Sequence, residues 1–216
     1  MCYNGAKRCG EGEMIMAKNH LGYSFVFRGF RKVLEEQYGS RAALLWEKAN
    51  EHYAALKKAH PMISQDGKMM ILPAAALYMA MKPHDPAHAL PLLTAYGQRM
   101  GEKIARVIHS VTSIPGAPEL LWHNMPALMR KMSSPEKGYS RCIVSETLEL
   151  VGVDILACPL CDDASALGLP EVAQVVCAMD KAYMTGFRHI QYTRTTSVAE
   201  GAPCCDYRLR YDKNKK

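Results

Sequence analysis

The sequence contains little of what would assign it to several large functional classes. The longest apolar run, Met69 to Met81, is too short to cross a bilayer, and no apolar stretch near the N-terminus resembles a signal peptide. No basic stripe alternates with aromatic residues, which argues against nucleic-acid binding. The glycines form no phosphate-binding motif, so nothing favours nucleotide binding. We therefore expect a cytoplasmic protein without nucleic-acid or membrane partners.

The composition that is present is that of a folded domain. The chain has 216 residues, of which 49% are hydrophobic and 22% are charged, and its net charge is a mild +6. A chain of this length can bury a substantial core, and residues 1–216 are predicted to form a single domain. The eight cysteines are expected to be reduced in the cytoplasm, where they act as thiols or ligands rather than disulfides.

Hydrophobic spacing predicts a helical part at residues 20–135, after an irregular arm at 1–19. The predicted helices cover residues 21–38, 40–59, 69–81, 92–110 and 119–132. Ser40 is expected to cap the second of them, with Leu44 and Leu45 on its apolar face. The third is apolar enough to be central to the packing, although such a segment would also suit the interface of a homodimer.

From residue 139 the periodicity changes to that of an α+β part, which extends to residue 211. Two strands are expected within 140–157 with a break near Gly152, and two further strands at 188–199 and 203–211. Prolines begin two helical pieces between them, at 159–167 and 170–186. The predicted fold is α+β, with an N-terminal helical layer packed on a C-terminal antiparallel sheet of β-β-α-α-β-β order. Residues 212–216 are expected to form a solvated basic tail.

Five of the cysteines fall between residues 158 and 205, and strand alternation assigns one of them to the core. In the last strand Cys205 shares a face with Tyr207 and Leu209, whereas Cys204 and Asp206 lie on the polar face. A thiol in line with tyrosine and leucine is more often packed than reactive. Cys205 is therefore predicted to be structural.

The helix that starts near Pro170 carries a thiol and a carboxylate in one row. Ala173, Cys177, Asp180 and Met184 follow each other at i, i+4, i+7 and i+11, beside the main apolar stripe. A partly buried second face of this kind would hold an acid that exchanges protons near neutral pH. The alternative is a solvated Asp180 beside a core Cys177.

Cys158 and Cys161 lie where a strand is expected to meet a helix, in C-x-x-C spacing. Amide dipoles at a helix N-terminus stabilise a thiolate, which favours a reactive Cys158. The same spacing suits zinc with Cys177 as a further ligand, but no second C-x-x-C or H-x-H pair completes a four-ligand site. A redox dithiol is the remaining alternative. We predict no cofactor and no metal, with zinc at these three cysteines as the exception to test.

The order of residues in this region resembles the L-2-amino-thiazoline-4-carboxylic acid hydrolase family. The matching residues lie between 158 and 207, about a quarter of the chain: Cys158-Pro159, Gly168-Leu169-Pro170, Cys177 with Asp180, Arg194-Thr195, Ala199 with Gly201, and Cys205-Asp206-Tyr207. The ending of this stretch is also similar to that of the 4-vinyl reductase type domain, which binds small molecules.

The resemblance implies hydrolytic opening of a cyclic amidine, in which ring sulfur leaves to give a carbamoyl-cysteine. Such a reaction needs a base for water, a proton donor for the leaving group and a cation for the substrate carboxylate. On this hypothesis Asp180, Cys177 and Cys158 are catalytic and Arg194 binds the carboxylate. Tyr192 and Thr196, which share the predicted strand face of Arg194, are further substrate-binding residues; a buried, paired Arg194 is the alternative.

A non-catalytic module is the competing hypothesis for the whole chain. A sensor or carrier related to 4-vinyl reductase type domains would hold a small molecule or a metal at the same residues without turning it over. The sequence leaves the true substrate and the oligomeric state open.

Overall fold

The computed structural model describes residues 20–215, so the predicted arm at 1–19 and Lys216 lie outside the described residues. The chain divides into two compact units, Met1–Ala89 and Leu90–Lys216. Each unit is described by itself, and the number of independently folding domains stays a prediction. Within the described range, no helix has both the length and the apolar character needed to cross a bilayer.

The first unit consists of three helices, α1 (Phe30–Tyr38), α2 (Ala42–Ala59) and α3 (Gln65–Met81). Helix α3 begins four residues before its predicted start because the Ser64 hydroxyl accepts a hydrogen bond from the Gly67 amide at 2.9 Å and caps it. Nearly every residue of α3 from Ile71 onward is buried. A helix that is apolar on all sides has to be buried on all sides, so its central position is confirmed.

Three predictions about the start of this unit are wrong. Residues 21–29 form a short 3₁₀ turn and further turns instead of helix, because the Ser24 hydroxyl binds the Phe27 amide at 3.1 Å and competes with helical hydrogen bonding. Ser40 lies in a 3₁₀ turn and does not cap α2. Leu44 is 50% exposed, because it is one residue, about 100° of helix rotation, away from the buried Leu45.

The second unit contains four helices and four strands. The helices are α4 (Ala89–Thr112), α5 (Ala117–Met132), α6 (Pro159–Ala166) and α7 (Ala173–Tyr183), and the strands are β1 (Ser140–Glu146), β2 (Leu150–Ala157), β3 (Ile190–Thr193) and β4 (Cys205–Tyr211). The strands form one antiparallel sheet in the order β1-β2-β4-β3. The α+β class, with helices first and an antiparallel sheet last, is thus confirmed.

Gly152 does not break the strands, contrary to the prediction. The turn between β1 and β2 lies at residues 147–149, where the Thr147 hydroxyl accepts a hydrogen bond from the Leu150 amide at 3.0 Å. Gly152 is a buried residue of β2 opposite Ser145, at an irregularity in β1. A Cβ at this position would be 3.3 Å from the Arg208 side chain, so the glycine permits a close approach rather than a turn.

Strand β3 is far shorter than the predicted span of 188–199. Its pairing with β4 ends at Thr193 opposite Arg208. Two residues later the amides of Thr195 and Thr196 donate to the Asp206 carboxylate, at 2.8 and 2.7 Å, instead of joining the sheet. Because this side chain takes over the amide hydrogens, the chain turns away from β4 and Arg194 follows the end of the strand.

The core of the second unit lies between one face of the sheet and helix α5. Cys205 is 5% exposed and Leu209 is fully buried, so the prediction that Cys205 packs in the core is confirmed. The buried members of this cluster are Met125, Met129, Val151, Val153, Ile155, Met184, Ile190, Cys205 and Leu209.

Two glycines on α4 set the position of α7. A Cβ on Gly97 would overlap the carbonyl oxygen of Val175, and a Cβ on Gly101 would overlap that of Met179. The four-residue spacing places both glycines on one face of α4, so the backbones of the two helices touch there. This contact fixes the helix that carries Cys177 and Asp180.

The end of the chain is tied down, which corrects the prediction of a solvated tail for Lys215. Its ammonium group donates to the carbonyl oxygens of Thr185 at 3.1 Å, Phe187 at 3.0 Å and Ile190 at 2.5 Å. Thr185 and Phe187 lie in the segment that leads into β3, and Ile190 is the first residue of that strand. Lys215 therefore holds that segment to the end of the chain.

Candidate functional site

A buried arginine is the centre of the candidate site. The Arg194 side chain is 5% exposed, and its Nη1 atom lies 3.2 Å from Oδ2 of Asp180. Nη1 also donates to the Tyr207 hydroxyl at 3.1 Å, and Nη2 donates to the carbonyl oxygen of Cys177 at 3.1 Å. A guanidinium without such partners would be costly to bury. The alternative of a buried, paired arginine thus describes Arg194 in this structure.

Three elements bring these groups together. Helix α7 contributes Asp180 and the Cys177 carbonyl, the end of β3 contributes Arg194, and β4 contributes Tyr207. The Tyr207 hydroxyl donates to Oδ2 of Asp180 at 2.5 Å, and the Arg194 guanidinium carbon lies 5.5 Å from the centre of the Tyr207 ring. We call Arg194, Asp180 and Tyr207 the arginine cluster.

The electrostatics of the arginine cluster keep its tyrosine protonated. Burial, with the nearby Asp180 charge, raises the pKa of Tyr207 well above its ordinary value. Burial acts to lower the pKa of Arg194, but the neighbouring Tyr207, Tyr192 and Asp180 outweigh it and raise the pKa overall. The cluster therefore presents a neutral hydroxyl and a permanent cation on either side of Asp180.

Asp206 fixes the loop that carries Arg194. Besides the two amides already described, it accepts the hydroxyl hydrogens of Thr195 at 2.5 Å and Thr196 at 3.0 Å. Desolvation acts to raise the pKa of Asp206, but these four hydrogen bonds outweigh it and hold the pKa far below its ordinary value. Both the amide and the hydroxyl of Thr196, a predicted substrate-binding residue, are engaged by this carboxylate.

Cys158 is a thiol whose pKa is lowered, in contrast to those of Cys161, Cys177 and Cys205. It occupies the N-cap position of α6, and its pKa is lowered to about 7, chiefly by a hydrogen bond from the Cys161 thiol. Burial opposes this effect, while the amides of Cys161 and Leu160 support it. The same interaction raises the pKa of Cys161. Of this pair, Cys158 is the thiolate and Cys161 the hydrogen-bond donor.

Cys177 is a weakly acidic thiol, in contrast to Cys158, although the charges of both Arg194 and Cys158 act on it. Burial raises its pKa to about 12, against smaller lowering effects of the Arg194 charge and of a hydrogen bond from the Ser197 hydroxyl. Cys158 and Cys205 lie close enough to affect the same pKa. Cys205 itself accepts a hydrogen bond from the Val198 amide at 3.2 Å. The thiols of this region are therefore neighbours with different reactivity.

Potential metal ligands are not clustered in the part of the chain that the structure describes. Within residues 20–215 no three histidine, cysteine, aspartate or glutamate side chains are grouped so that they could hold a metal ion. Cys158, Cys161 and Cys177 remain the residues that a zinc ion would use, and zinc binding stays a prediction.

The structure brings together Cys177, Asp180 and Arg194 as the spacing suggested, with Cys158 near Cys177. Tyr207 and Asp206 were missed as functional residues, although both stand in the Cys205-Asp206-Tyr207 motif. Alternation assigned Tyr207 to the core face, which is correct, but nothing in one sequence indicates that its hydroxyl reaches Asp180. Ser197, 2% exposed, was also missed as a neighbour of Cys177 and Cys205.

Comparison with known proteins identifies a sequence family. The model of the family described as L-2-amino-thiazoline-4-carboxylic acid hydrolase matches residues 67–209, which is more than half of the chain. This range includes every residue of the arginine cluster and all the thiols discussed above. No curated protein matches the chain.

Proposed function

The chain belongs to the L-2-amino-thiazoline-4-carboxylic acid hydrolase family, and we propose that it opens a small cyclic amidine of the thiazoline type by hydrolysis. The observation that carries the proposal is the arginine cluster, in which a buried cation, a carboxylate and a neutral hydroxyl meet next to the thiol-bearing helix. Ring opening needs a proton carrier and a cation for the substrate carboxylate, and these groups supply both.

Cys158 acts as the nucleophile in this proposal. Its pKa of about 7 makes a large fraction of it thiolate at neutral pH, whereas Cys177 with a pKa of about 12 stays protonated. The thiolate attacks the amidine carbon, the ring carbon–sulfur bond breaks, and the ring sulfur leaves as a thiolate. Cys177 lines the site as a neutral neighbour.

Water completes the reaction. It attacks the same carbon of the enzyme-bound isothiourea, one of its protons goes to the imine nitrogen, and the Asp180 carboxylate passes the other to the thiolate of the departed ring sulfur. The bond to Cys158 then breaks and releases the thiolate with N-carbamoyl-cysteine. Substrate and one water molecule give one product, so no oxidant, reductant or other co-reactant is consumed.

Arg194 provides the positive charge for the substrate carboxylate. Its three hydrogen bonds to Asp180, Tyr207 and the Cys177 carbonyl use three of the five N–H donors of a guanidinium. The remaining two N–H groups could donate hydrogen bonds to a substrate carboxylate. Thr196 contributes through the loop that Asp206 holds, rather than through a free hydroxyl.

Turnover of L-2-amino-thiazoline-4-carboxylate tests the proposal. Purified protein is incubated with the compound, and substrate loss and N-carbamoyl-cysteine are followed by liquid chromatography with mass spectrometry. We expect turnover by the wild type, its loss in Cys158→Ser, and its retention in Cys142→Ser, which alters an exposed cysteine of β1. Equal rates in both variants would exclude Cys158 as the nucleophile.

A binding module without turnover is the second candidate, and the low exposure of Arg194 favours it. A guanidinium that is 5% exposed and donates to three protein groups is typical of a structural pair. This candidate predicts that the same compound binds, as measured by calorimetry, and is recovered unchanged. Elemental analysis of protein purified without added metal tests the zinc version at Cys158, Cys161 and Cys177.

A further inference from the structure

One buried polar atom near the arginine cluster has no partner. The hydroxyl oxygen of Tyr192 is shielded from solvent and has no hydrogen-bond partner among the described residues. Tyr207, whose ring centre lies 5.7 Å from that of Tyr192, has both Arg194 and Asp180 as partners. Burying a hydroxyl without a partner costs free energy, so each such case calls for an explanation.

The surroundings of Tyr192 indicate what the hydroxyl would bind. Tyr192 lies in β3 opposite Leu209, and the groups that act on it electrostatically are Asp180, Arg194, Cys205 and Cys177. Burial is the main reason that its pKa is raised, so the hydroxyl keeps its proton and acts as a donor. A neutral donor next to a permanent cation suits an anionic acceptor.

We propose that the Tyr192 hydroxyl donates a hydrogen bond to the carboxylate of a small heterocyclic substrate, beside the Arg194 guanidinium. This inference rests on the proposed function, since it assigns the second contact of the same carboxylate. The two oxygens of a carboxylate accept from several donors at once, so one oxygen can face Arg194 and the other Tyr192. An amine in that place would be repelled by the guanidinium.

In the complex the substrate carboxylate would be the hydrogen-bond partner of the Tyr192 hydroxyl, so the free-energy cost of burying an unpaired hydroxyl would disappear. Its oxygen is covered in this conformation, so a ligand reaches it only when the covering side chains move. Association is therefore expected to be slower than for a preformed open site. The unpaired hydroxyl reduces the stability of the free protein and is satisfied only in the complex.

A stability measurement tests the first half of the inference. Tyr192→Phe removes a hydroxyl without partners, so we expect its melting temperature to equal or exceed that of the wild type. Tyr207→Phe removes a hydroxyl with two partners and is expected to melt at a lower temperature. A loss of stability in Tyr192→Phe as large as that in Tyr207→Phe would contradict the absence of a partner.

A binding measurement with three probes tests the second half. The probes are L-2-amino-thiazoline-4-carboxylate, L-thiazolidine-4-carboxylate, which keeps the carboxylate but has no amidine carbon, and 2-aminothiazoline, which keeps the amidine but has no carboxylate. We expect Tyr192→Phe to bind the two carboxylates roughly 10- to 100-fold more weakly, the effect of a hydrogen bond to a charged group. Its affinity for 2-aminothiazoline is expected to be unchanged.

The outcomes separate this inference from the proposed function. Tyr192-dependent binding of thiazolidine carboxylate without any turnover of the aminothiazoline supports the inference and excludes the hydrolase. Turnover with equal affinities in wild type and Tyr192→Phe supports the hydrolase and overturns the inference. An equal loss of affinity for all three probes overturns it as well, because the effect would not depend on the carboxylate. A wild type that binds neither carboxylate overturns both.

Discussion

Two arginine–carboxylate pairs of the second unit differ in their surroundings more than in their distances. Arg208 Nη1 lies 2.7 Å from Oδ1 of Asp154, and both side chains are about a quarter exposed. Arg194 Nη1 lies 3.2 Å from Oδ2 of Asp180, but its side chain is 5% exposed. The Arg208 pair joins β4 to β2 across the sheet, whereas the Arg194 pair joins the end of β3 to α7.

The shorter ion pair is not the one on which the molecule depends more. Water screens the Arg208 pair, and exposed pairs of this kind contribute little to stability. The Arg194 pair is shielded, and Tyr207 and the Cys177 carbonyl complete its hydrogen bonding. Removing Asp180 would leave the Arg194 charge buried without its anion, whereas removing Arg194 leaves Asp180, which is 22% exposed, with Tyr207 as a remaining partner. The two pairs therefore serve as a matched set for experiments.

The largest difference is expected in catalysis. Asp180→Asn removes the proposed proton carrier while keeping its size, so kcat/KM for L-2-amino-thiazoline-4-carboxylate is expected to fall roughly 10²- to 10⁴-fold. Asp154→Asn makes the same change in the exposed pair and is expected to leave kcat/KM at the wild-type level. Steady-state kinetics of both variants measure this. Full activity in Asp180→Asn would remove Asp180 from the mechanism.

Stability should separate the two arginines next. Arg194→Met leaves Asp180 without its cation and the Cys177 carbonyl without its donor, and we expect the free energy of unfolding to fall by about 1–3 kcal/mol. Arg208→Met is expected to lower it by about 0–1 kcal/mol. Denaturant titration measures both. If Arg194→Met does not fold, Arg194→Lys, which keeps the charge but not the planar group, is expected to fold with an intermediate loss. Equal losses of unfolding free energy in Arg194→Met and Arg208→Met would show that the burial of Arg194 does not make its ion pair more important for stability.

The thiols also distinguish the two arginines, because the charge of Arg194 lowers the pKa values of Cys177 and Cys205. The acidity of Cys158 is instead attributed to its neighbour Cys161. Cys161→Ala removes the hydrogen bond that lowers the pKa of Cys158 most, so this pKa is expected to rise from about 7 towards its ordinary value of 9.0. The alkylation rate of Cys158 as a function of pH, followed by peptide mass mapping, measures the change. Arg208→Met serves as the control and should leave the profile unchanged. An unchanged midpoint in Cys161→Ala would assign the acidity to the α6 amides instead.

The smallest effect is expected at Asp206, which lies on the same strand as Arg208 but holds the Arg194 loop. Its pKa in the folded protein is depressed below the ordinary value of 3.8. Its stabilising contribution is therefore fully present above pH 3.8 and is lost as the pH falls towards the folded-state pKa. Asp206→Ala is expected to lower stability by about 1 kcal/mol at pH 7. Thermal unfolding at pH 7 and pH 3 tests whether this difference shrinks in acid.

The sequence predicted those features that depend on local periodicity. The apolar run at Met69 to Met81 marked α3, and the i, i+3 spacing of Cys177 and Asp180 placed both on one partly buried face. Alternation assigned Cys205 to the core. Each of these depends on neighbours in the chain, and a single sequence contains that information.

The features that were missed depend on contacts between distant residues. The Asp206 carboxylate ends β3 early, and Lys215 reaches back to carbonyls just before and at the start of β3. The alternating pattern continues through residues 194–199. It therefore cannot indicate that the Asp206 side chain of β4 takes the place of backbone hydrogen bonds in this segment. The bond between Tyr207 and Asp180 depends likewise on where α7 lies above the sheet. Such contacts leave no periodic pattern.

The glycines of α4 also provide a way to sort relatives of this chain. A relative that carries alanine or a larger residue at the position of Gly97 or Gly101 cannot keep the backbones of α4 and α7 in contact. Its α7 would have to shift outward, and the carboxylate at the position of Asp180 would move with it. Members of the family that conserve both glycines are therefore the ones to which residue assignments from this protein can be transferred. For the others, the same motif letters would describe a site of different dimensions.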